Sequence, residues 1–87
     1  MTVHLRIRGK VQGVFYRVSA RRTALETGVT GWIKNTPEGN VEAMASGQTE
    51  AVNKFIDWCK KGPSRAAVAE VVVSLKEDAV YKGFVIK

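Results

Sequence analysis

The stretch VHLRIRGKVQGVFYR, residues 3–17, decides how this chain begins to fold. Apolar and basic residues alternate from Val3 to Arg8, which predicts a strand with one buried side and one exposed side. Gly9 and Gly13 follow, and glycine adopts backbone conformations that are closed to other residues. The stretch therefore predicts a strand that ends at Gly9 and a tight loop that leads into a helix.

The helices that follow differ in the quality of their pattern. Residues 17–27 predict a helix that Gly28 ends, although its apolar residues form no single clean face. The second helix is clearer and ends at Gly62-Pro63. Its apolar residues recur at i, i+3, i+4 and i+7, namely Val52, Phe55, Ile56 and Cys59. We expect this stripe, including the thiol, to lie in the core.

Four more segments predict strands, at 29–35, 41–45, 68–75 and 83–87. The turn residues Pro37 and Gly39 lie between the first two, so we expect those two strands to form a hairpin. The resulting β-α-β-β-α-β order with a short last strand predicts an α+β fold of the ferredoxin-like, split βαβ type. We expect an antiparallel sheet with two helices on one face, in a single domain over residues 1–87.

Composition and charge narrow the class of protein. The 87 residues are 45% hydrophobic and 25% charged, which is ordinary for a soluble globular domain. The net charge of +6 fits a nucleic-acid surface, a membrane surface or a site for small anions, but Lys and Arg are scattered and form no basic tail. The single cysteine, the absence of a signal-like start and the lack of a long apolar run predict a cytoplasmic protein that contacts no membrane. We expect a monomer.

The loop after the first strand is the first candidate site. A turn that enters a helix N-terminus presents free backbone N–H groups, and the helix dipole adds positive potential, so a phosphate could bind there. Arg17 stands where the helix begins, and a guanidinium can bond two oxygens of one phosphate. The alternative is that the glycines only turn the chain and Arg17 is solvated. The spacing matches neither glycine signature of nucleotide-binding loops.

Asn35, at the end of the second predicted strand, is the second candidate. Asparagine is disfavoured inside strands, and its amide both donates and accepts, so it could orient a water molecule. It could equally serve only to open the turn that follows. The hydroxyl of the neighbouring Thr36 is a possible support for such a site.

Two motifs resemble the signatures of the acylphosphatase family. The first is Gly9–Arg17, with its Val-Gln-Gly-Val, an aromatic residue and an arginine. The second is Gly31–Asn35, followed by three spaced residues, Gly39, Val41 and Gly47. The similarity continues through the second helix and the last strand, so it covers essentially the whole chain. Ile33 and Thr27 depart from the family's usual residues, and we expect them to change packing and stability but not chemistry.

The resemblance implies an enzyme that hydrolyses acyl phosphates, with inorganic phosphate as product and competitive inhibitor. It implies that Arg17 binds the phosphate and that Asn35 orients the attacking water, which makes these the two catalytic residues. It places the phosphate on the backbone of the loop, at Gln12, Gly13, Val14, Phe15, Tyr16 and Arg17. No metal, cofactor or covalent intermediate is implied.

The motifs also fit the chemistry of an acyl phosphate. Its leaving group is a carboxylate, whose conjugate acid has a pKa near ~4.3, so it departs without a proton donor. Neither motif supplies an Asp, Glu or His in the position of a general acid. Such a site can hold and orient a phosphate but cannot readily transfer protons.

Two functions without catalysis remain as alternatives. A regulatory module could keep the fold, although the chain ends at Lys87 with no sign of a further domain, which favours a standalone enzyme. An RNA-recognition module shares the element order but needs aromatic residues on its central strands. Residues 3–8 and 41–45 contain none, so we expect no nucleic-acid partner.

Overall fold

Seven elements follow one another in the computed structural model, which describes residues Met1–Lys87. They are β1 (Thr2–Lys10), α1 (Tyr16–Thr27), β2 (Thr30–Asn35), β3 (Val41–Ser46), α2 (Thr49–Lys61), β4 (Ala67–Lys76) and β5 (Phe84–Ile86). This order confirms the predicted α+β, ferredoxin-like fold, with β2 and β3 as an antiparallel hairpin. Neither helix is long and apolar enough to cross a membrane.

The strands lie in one sheet in the order β4-β1-β3-β2-β5. Four of the strands pair antiparallel with their neighbours, but β5 lies parallel to β2. The prediction of a wholly antiparallel sheet is therefore wrong at β5. The reason is the course of the chain: β1 and β2 run in the same direction, β4 runs against them, and the chain that leaves β4 must return in the direction of β2.

The connection from β4 to β5 crosses one end of the sheet and is fastened there by hydrogen bonds. The backbone N–H of Ala79 donates to Thr2 Oγ1 at 3.1 Å, and Ser46 Oγ donates to the carbonyl of Ala79 at 2.7 Å. The N–H of Gly31 donates to the carbonyl of Gly83 at 2.9 Å. These bonds fix the course of the connection, so that β5 lies at the edge of the sheet beside β2.

Both helices cover the same face of the sheet, and the core lies between. The three central strands β1, β3 and β2 contribute buried residues on this face: Val3, Leu5, Ile7, Ile33, Val41, Ala43 and Ala45. The predicted stripe of α2 is also buried, as expected, including Cys59. From α1 the small residues Ala20 and Ala24 are buried, whereas Val18 and Leu25 are exposed. The weak pattern of α1 thus reflects a helix that packs through alanines, with larger apolar residues left in solvent.

The end of β1 differs from the prediction. The strand continues through Gly9 to Lys10, past an irregularity in its pairing with β4 between Arg8 and Gly9. Gly9 has φ 126°, and a Cβ there would lie 2.3 Å from the carbonyl oxygen of Ala67. Here glycine allows the close approach of β4 instead of ending the strand. The loop to α1 is consequently short and begins at Val11.

Candidate active site

The loop between β1 and α1, residues 11–15, is held on the core at both of its ends. The side chains of Val11 and Val14 are buried. Gly13 between them has φ 72°, with no atom within 4 Å of a Cβ placed there, so backbone conformation and not space requires the glycine. No side chain caps the start of α1, and no acidic residue lies in its first turn. The positive potential of this helix end is therefore open to an external anion.

Arg17 lies in the first turn of α1, beside the loop. None of the ion pairs within 4.0 Å involves its guanidinium. Its side-chain contact within the protein is a long hydrogen bond of 3.5 Å from Nη1 to the backbone oxygen of Lys87. The guanidinium thus keeps most of its donors free for a ligand.

Asn35 is the last residue of β2 and lies on the same side of the strand as the buried Ile33. Its Oδ1 atom is buried from solvent and accepts no hydrogen bond from the protein. Buried polar atoms are nearly always hydrogen-bonded, because leaving one unpaired costs about 1–3 kcal/mol. This oxygen is therefore the one buried side-chain polar atom that the fold leaves without a hydrogen bond.

The loop, the first turn of α1 and Asn35 enclose a cavity of about 260 Å³. Its lining consists of Val11, Gln12, Gly13, Phe15, Tyr16, Arg17, Val18 and Asn35. The fold therefore brings together both predicted catalytic residues and most of the predicted loop, while the side chain of Val14 belongs to the core. No Asp, Glu or His lines the cavity, so its groups can bind and orient an anion but not transfer a proton.

The side chain of Tyr16 has a structural role that the sequence did not indicate. Its hydroxyl donates to the carbonyl of Cys59 at 2.7 Å inside the core, which joins the start of α1 to the end of α2. Burial raises the pKa of Tyr16 above its ordinary value and raises the pKa of the Cys59 thiol to about 12. Both groups stay protonated at neutral pH, so neither acts as a nucleophile there.

The side chain of Gln12 is a second feature that sequence reasoning missed. Its Nε2 donates to the carbonyl of Thr36 at 3.0 Å and to the carbonyl of Asn40 at 2.8 Å, which ties the loop to the β2–β3 turn. Thr36 does not line the cavity, and its hydroxyl accepts from the N–H of Asn40 within the turn. The partners of Gln12 lie 24 and 28 residues away, and no local pattern signals such a contact.

A larger cavity of about 740 Å³ lies on the uncovered face of the sheet. No hydrophobic residue lines it, and it holds both cations, such as Arg6 and Lys34, and carboxylates, such as Glu42. It borders Asn35 but includes neither Arg17 nor the loop. Its carboxylates offset its cations, and it lacks both Arg17 and the open N–H groups of the loop, so the smaller cavity is the candidate active site.

His4 faces this uncovered side of the sheet and pairs with a carboxylate there. Its side chain is only 20% exposed, and Nε2 lies 2.7 Å from Oε2 of Glu42. Glu42 also contacts Lys34 Nζ at 3.4 Å. The hydrogen bond with His4 holds the pKa of the Glu42 carboxyl below its ordinary value. The pair is a structural link between β1 and β3.

The sequence of the chain is similar to those of known proteins. A sequence model described as Acylphosphatase matches residues 3–86. The chain belongs to the acylphosphatase family. The acylphosphatase of Thiobacillus denitrificans is 47% identical over 83 residues, which are 95% of this chain and 92% of that relative.

Solved structures of the family have the same fold. An acylphosphatase from Coxiella burnetii, 37% identical, superposes with a TM-score of 0.95 over 99% of this chain and 90% of its own. One from Bacillus subtilis, 28% identical, gives a TM-score of 0.94 over 99% of this chain and 97% of its own. Membership of the family confirms the prediction that the chain is an acylphosphatase enzyme.

Proposed function

We propose that this acylphosphatase cleaves its substrate by direct attack of a water molecule on phosphorus. The phosphate of the acyl phosphate lies against the backbone N–H groups of residues 12–17 and the guanidinium of Arg17, and Asn35 holds the attacking water. The products are a carboxylate and inorganic phosphate. No covalent intermediate with the protein forms.

The observation that carries this proposal is that Asn35, whose Oδ1 has no hydrogen-bond partner in the protein, lines the same cavity as Arg17. An amide oxygen accepts a hydrogen bond from a water molecule and so fixes the direction of that water's lone pairs. A cation and a bound water in one small cavity are the two elements that a hydrolytic displacement needs. Because the protein holds the phosphate and the water at fixed positions, much of the entropic cost of bringing the reactants together is removed.

Arg17 and the start of α1 supply the charge that the reaction needs. The guanidinium is a planar cation that can bond two phosphate oxygens at once. The uncapped helix end adds N–H groups that are already oriented before the substrate arrives. Together these donors stabilise the negative charge on whichever phosphate oxygens carry it in the transition state. Inorganic phosphate makes the same contacts, so it inhibits competitively.

The cavity suits a carboxylate leaving group. The bond between phosphorus and the acyl oxygen breaks, and its electron pair leaves with a carboxylate whose conjugate acid has a pKa near ~4.3, so no general acid is needed. The protons of the attacking water pass to phosphate oxygens, and an acyl phosphate dianion yields a carboxylate and dihydrogen phosphate. A phosphomonoester would expel an alkoxide and would need an acid that the lining does not contain.

The substrate class is tested by comparing two compounds in the presence of EDTA. The purified protein is expected to hydrolyse acetyl phosphate and to leave p-nitrophenyl phosphate nearly untouched. Comparable rates on both compounds would mean that the cavity does not discriminate by leaving group, which contradicts the proposal.

Two substitutions separate the proposed roles. Arg17→Gln should abolish turnover and weaken phosphate binding, whereas Asn35→Ala should lower kcat by about 10²–10³ with phosphate affinity close to wild type. The measurements are steady-state kinetics and titration calorimetry with inorganic phosphate, with folding checked by circular dichroism. Arg22→Gln and Asn53→Ala are matched controls, because both residues are exposed on the helices and lie outside the cavity. Equal loss of phosphate binding in the two active-site variants would refute the division of roles.

A further inference from the structure

Two exposed apolar side chains stand in the candidate active site. Phe15 is 70% exposed and Val18 is 53% exposed, and both line the cavity that contains Arg17 and Asn35. A single exposed apolar residue is common on protein surfaces and needs no explanation. Two of them that line the same cavity form an apolar surface beside Arg17 and Asn35.

The backbone of Phe15 makes its aromatic side chain harder to explain by folding alone. Phe15 has φ 63° and ψ 25° and is the only residue other than glycine with a positive φ. This left-handed conformation costs a side-chain-bearing residue roughly 1–2 kcal/mol, which glycine would avoid and asparagine would reduce. Since the ring is mostly exposed, core packing does not offset that cost. Contact with a ligand would give the ring a function at this position.

The direction of the reaction places the acyl group on this surface. In a direct displacement the leaving oxygen departs opposite the attacking water, in line with phosphorus. Asn35, which holds the water, is the only lining residue that comes from β2. Phe15 and Val18 line the cavity from different elements, the loop and the first turn of α1. An acyl group that points away from Asn35 therefore meets Phe15 and Val18.

We propose that Phe15 and Val18 form the acyl-group subsite and that the enzyme favours acyl phosphates with apolar acyl groups, aromatic or branched aliphatic. This inference rests on the proposed function, since it takes Asn35 as the holder of the water. The subsite takes no part in bond breaking. It removes apolar surface of the acyl group from water, in the bound substrate and in the transition state alike, and so increases kcat/KM.

The uncovered face of the sheet is the other place where an acyl group could lie. Its cavity borders Asn35 and is lined by charged and polar residues, including Arg6 and Arg8. An acyl group there would lie on the same side of phosphorus as the water that Asn35 holds, which an in-line displacement does not allow. It would also place apolar acyl groups among charges. The geometry assigns the acyl group to the apolar wall.

The test compares benzoyl phosphate with acetyl phosphate, which share a phosphate and differ in apolar surface. The wild type should have the higher kcat/KM on benzoyl phosphate. Phe15→Asn keeps a residue that tolerates the left-handed backbone, and it should lower kcat/KM on benzoyl phosphate about tenfold, equivalent to ~1.4 kcal/mol. The fall should exceed any change on acetyl phosphate, so the readout is the ratio of the two kcat/KM values. An effect of the substitution on the phosphate-binding backbone acts on both substrates and cancels in that ratio.

Two further variants make the result decisive. Val18→Thr should also lower the preference for benzoyl phosphate over acetyl phosphate, by a smaller factor. It replaces Phe15→Asn as the test if that variant does not fold. Leu25→Thr is the matched control, because Leu25 is 51% exposed on the same helix and lies outside the cavity. An unchanged substrate preference in both Phe15→Asn and Val18→Thr would overturn the subsite, as would a preference that moves instead in Arg6→Gln. Failure of the folded wild type to hydrolyse either compound would overturn the proposed function itself.

Discussion

The side chain of Gln12 joins the loop to the β2–β3 turn, and replacing it by methionine should let the two sides of the candidate active site move apart. Methionine keeps the length of the side chain and removes both hydrogen bonds, to the carbonyls of Thr36 and Asn40. Each carbonyl keeps a second donor, the N–H of Gly39 on Thr36 and the N–H of Thr36 on Asn40. The substitution should therefore lower the unfolding free energy by about 1–2 kcal/mol, the low end of the range for losing two hydrogen bonds.

This loss corresponds to a fall in Tm of roughly 5–15 °C for a domain of this size. The effect on catalysis should be separate, because the loop keeps its own anchors in the buried Val11 and Val14 while Asn35 loses its tie to the loop. We expect kcat to fall by about 10–10² and phosphate affinity to change little, since displacing a positioning group by ~1 Å can have an effect of that size.

The assay combines thermal unfolding, steady-state kinetics on acetyl phosphate and calorimetry with inorganic phosphate. Gln48→Met is the control, because Gln48 is exposed before α2 and its side chain caps nothing. Gln12→Glu adds a pH signature: its carboxylate would face two carbonyl oxygens, and only the protonated form could donate to one of them. Its kcat should rise as pH falls, unlike that of the wild type. A Gln12→Met variant with wild-type kcat would refute this positioning role.

Three further predictions follow from the fold around the site. Tyr16→Phe should lower the unfolding free energy by about 1–2 kcal/mol by leaving the Cys59 carbonyl without its donor, with kcat of the folded protein retained; loss of activity in a folded variant would contradict this. Gly13→Ala should lower stability by roughly 1–2 kcal/mol through backbone strain alone, since no atom blocks its methyl group, and denaturant unfolding measures it. Because hydrogen bonding to His4 lowers the pKa of Glu42, the pair stabilises the fold above the ordinary carboxyl pKa of about 4.3. The stability difference between wild type and Glu42→Gln should vanish as pH falls through the lower folded pKa, and a difference that grows in acid would be the contrary result.

The elements of the fold could be predicted from sequence to the extent that their patterns are local. The stripe of α2 and the alternation of β1 each repeat with the period of one element, so they predict its type and its buried side. The pattern of α1 is weak because the buried residues beyond Tyr16 in its first turn are the small Ala20 and Ala24, which carry little apolar signal. The direction of β5 has no local signal, because it depends on which edge of the sheet the chain reaches after β4.

The candidate site, too, could be predicted from sequence only in part. Arg17 and Asn35 stand in recognisable motifs, so the sequence by itself determined the family and named both residues. Only the tertiary structure placed them in one cavity, left Asn35 Oδ1 without a partner and joined Gln12 to a turn 24 and 28 residues away. The physical reason is that periodic burial and turn preference act between neighbours in the chain. By contrast, the fold decides which distant residues come together. It therefore decides which residues line one cavity and whether a buried polar atom has a hydrogen-bond partner.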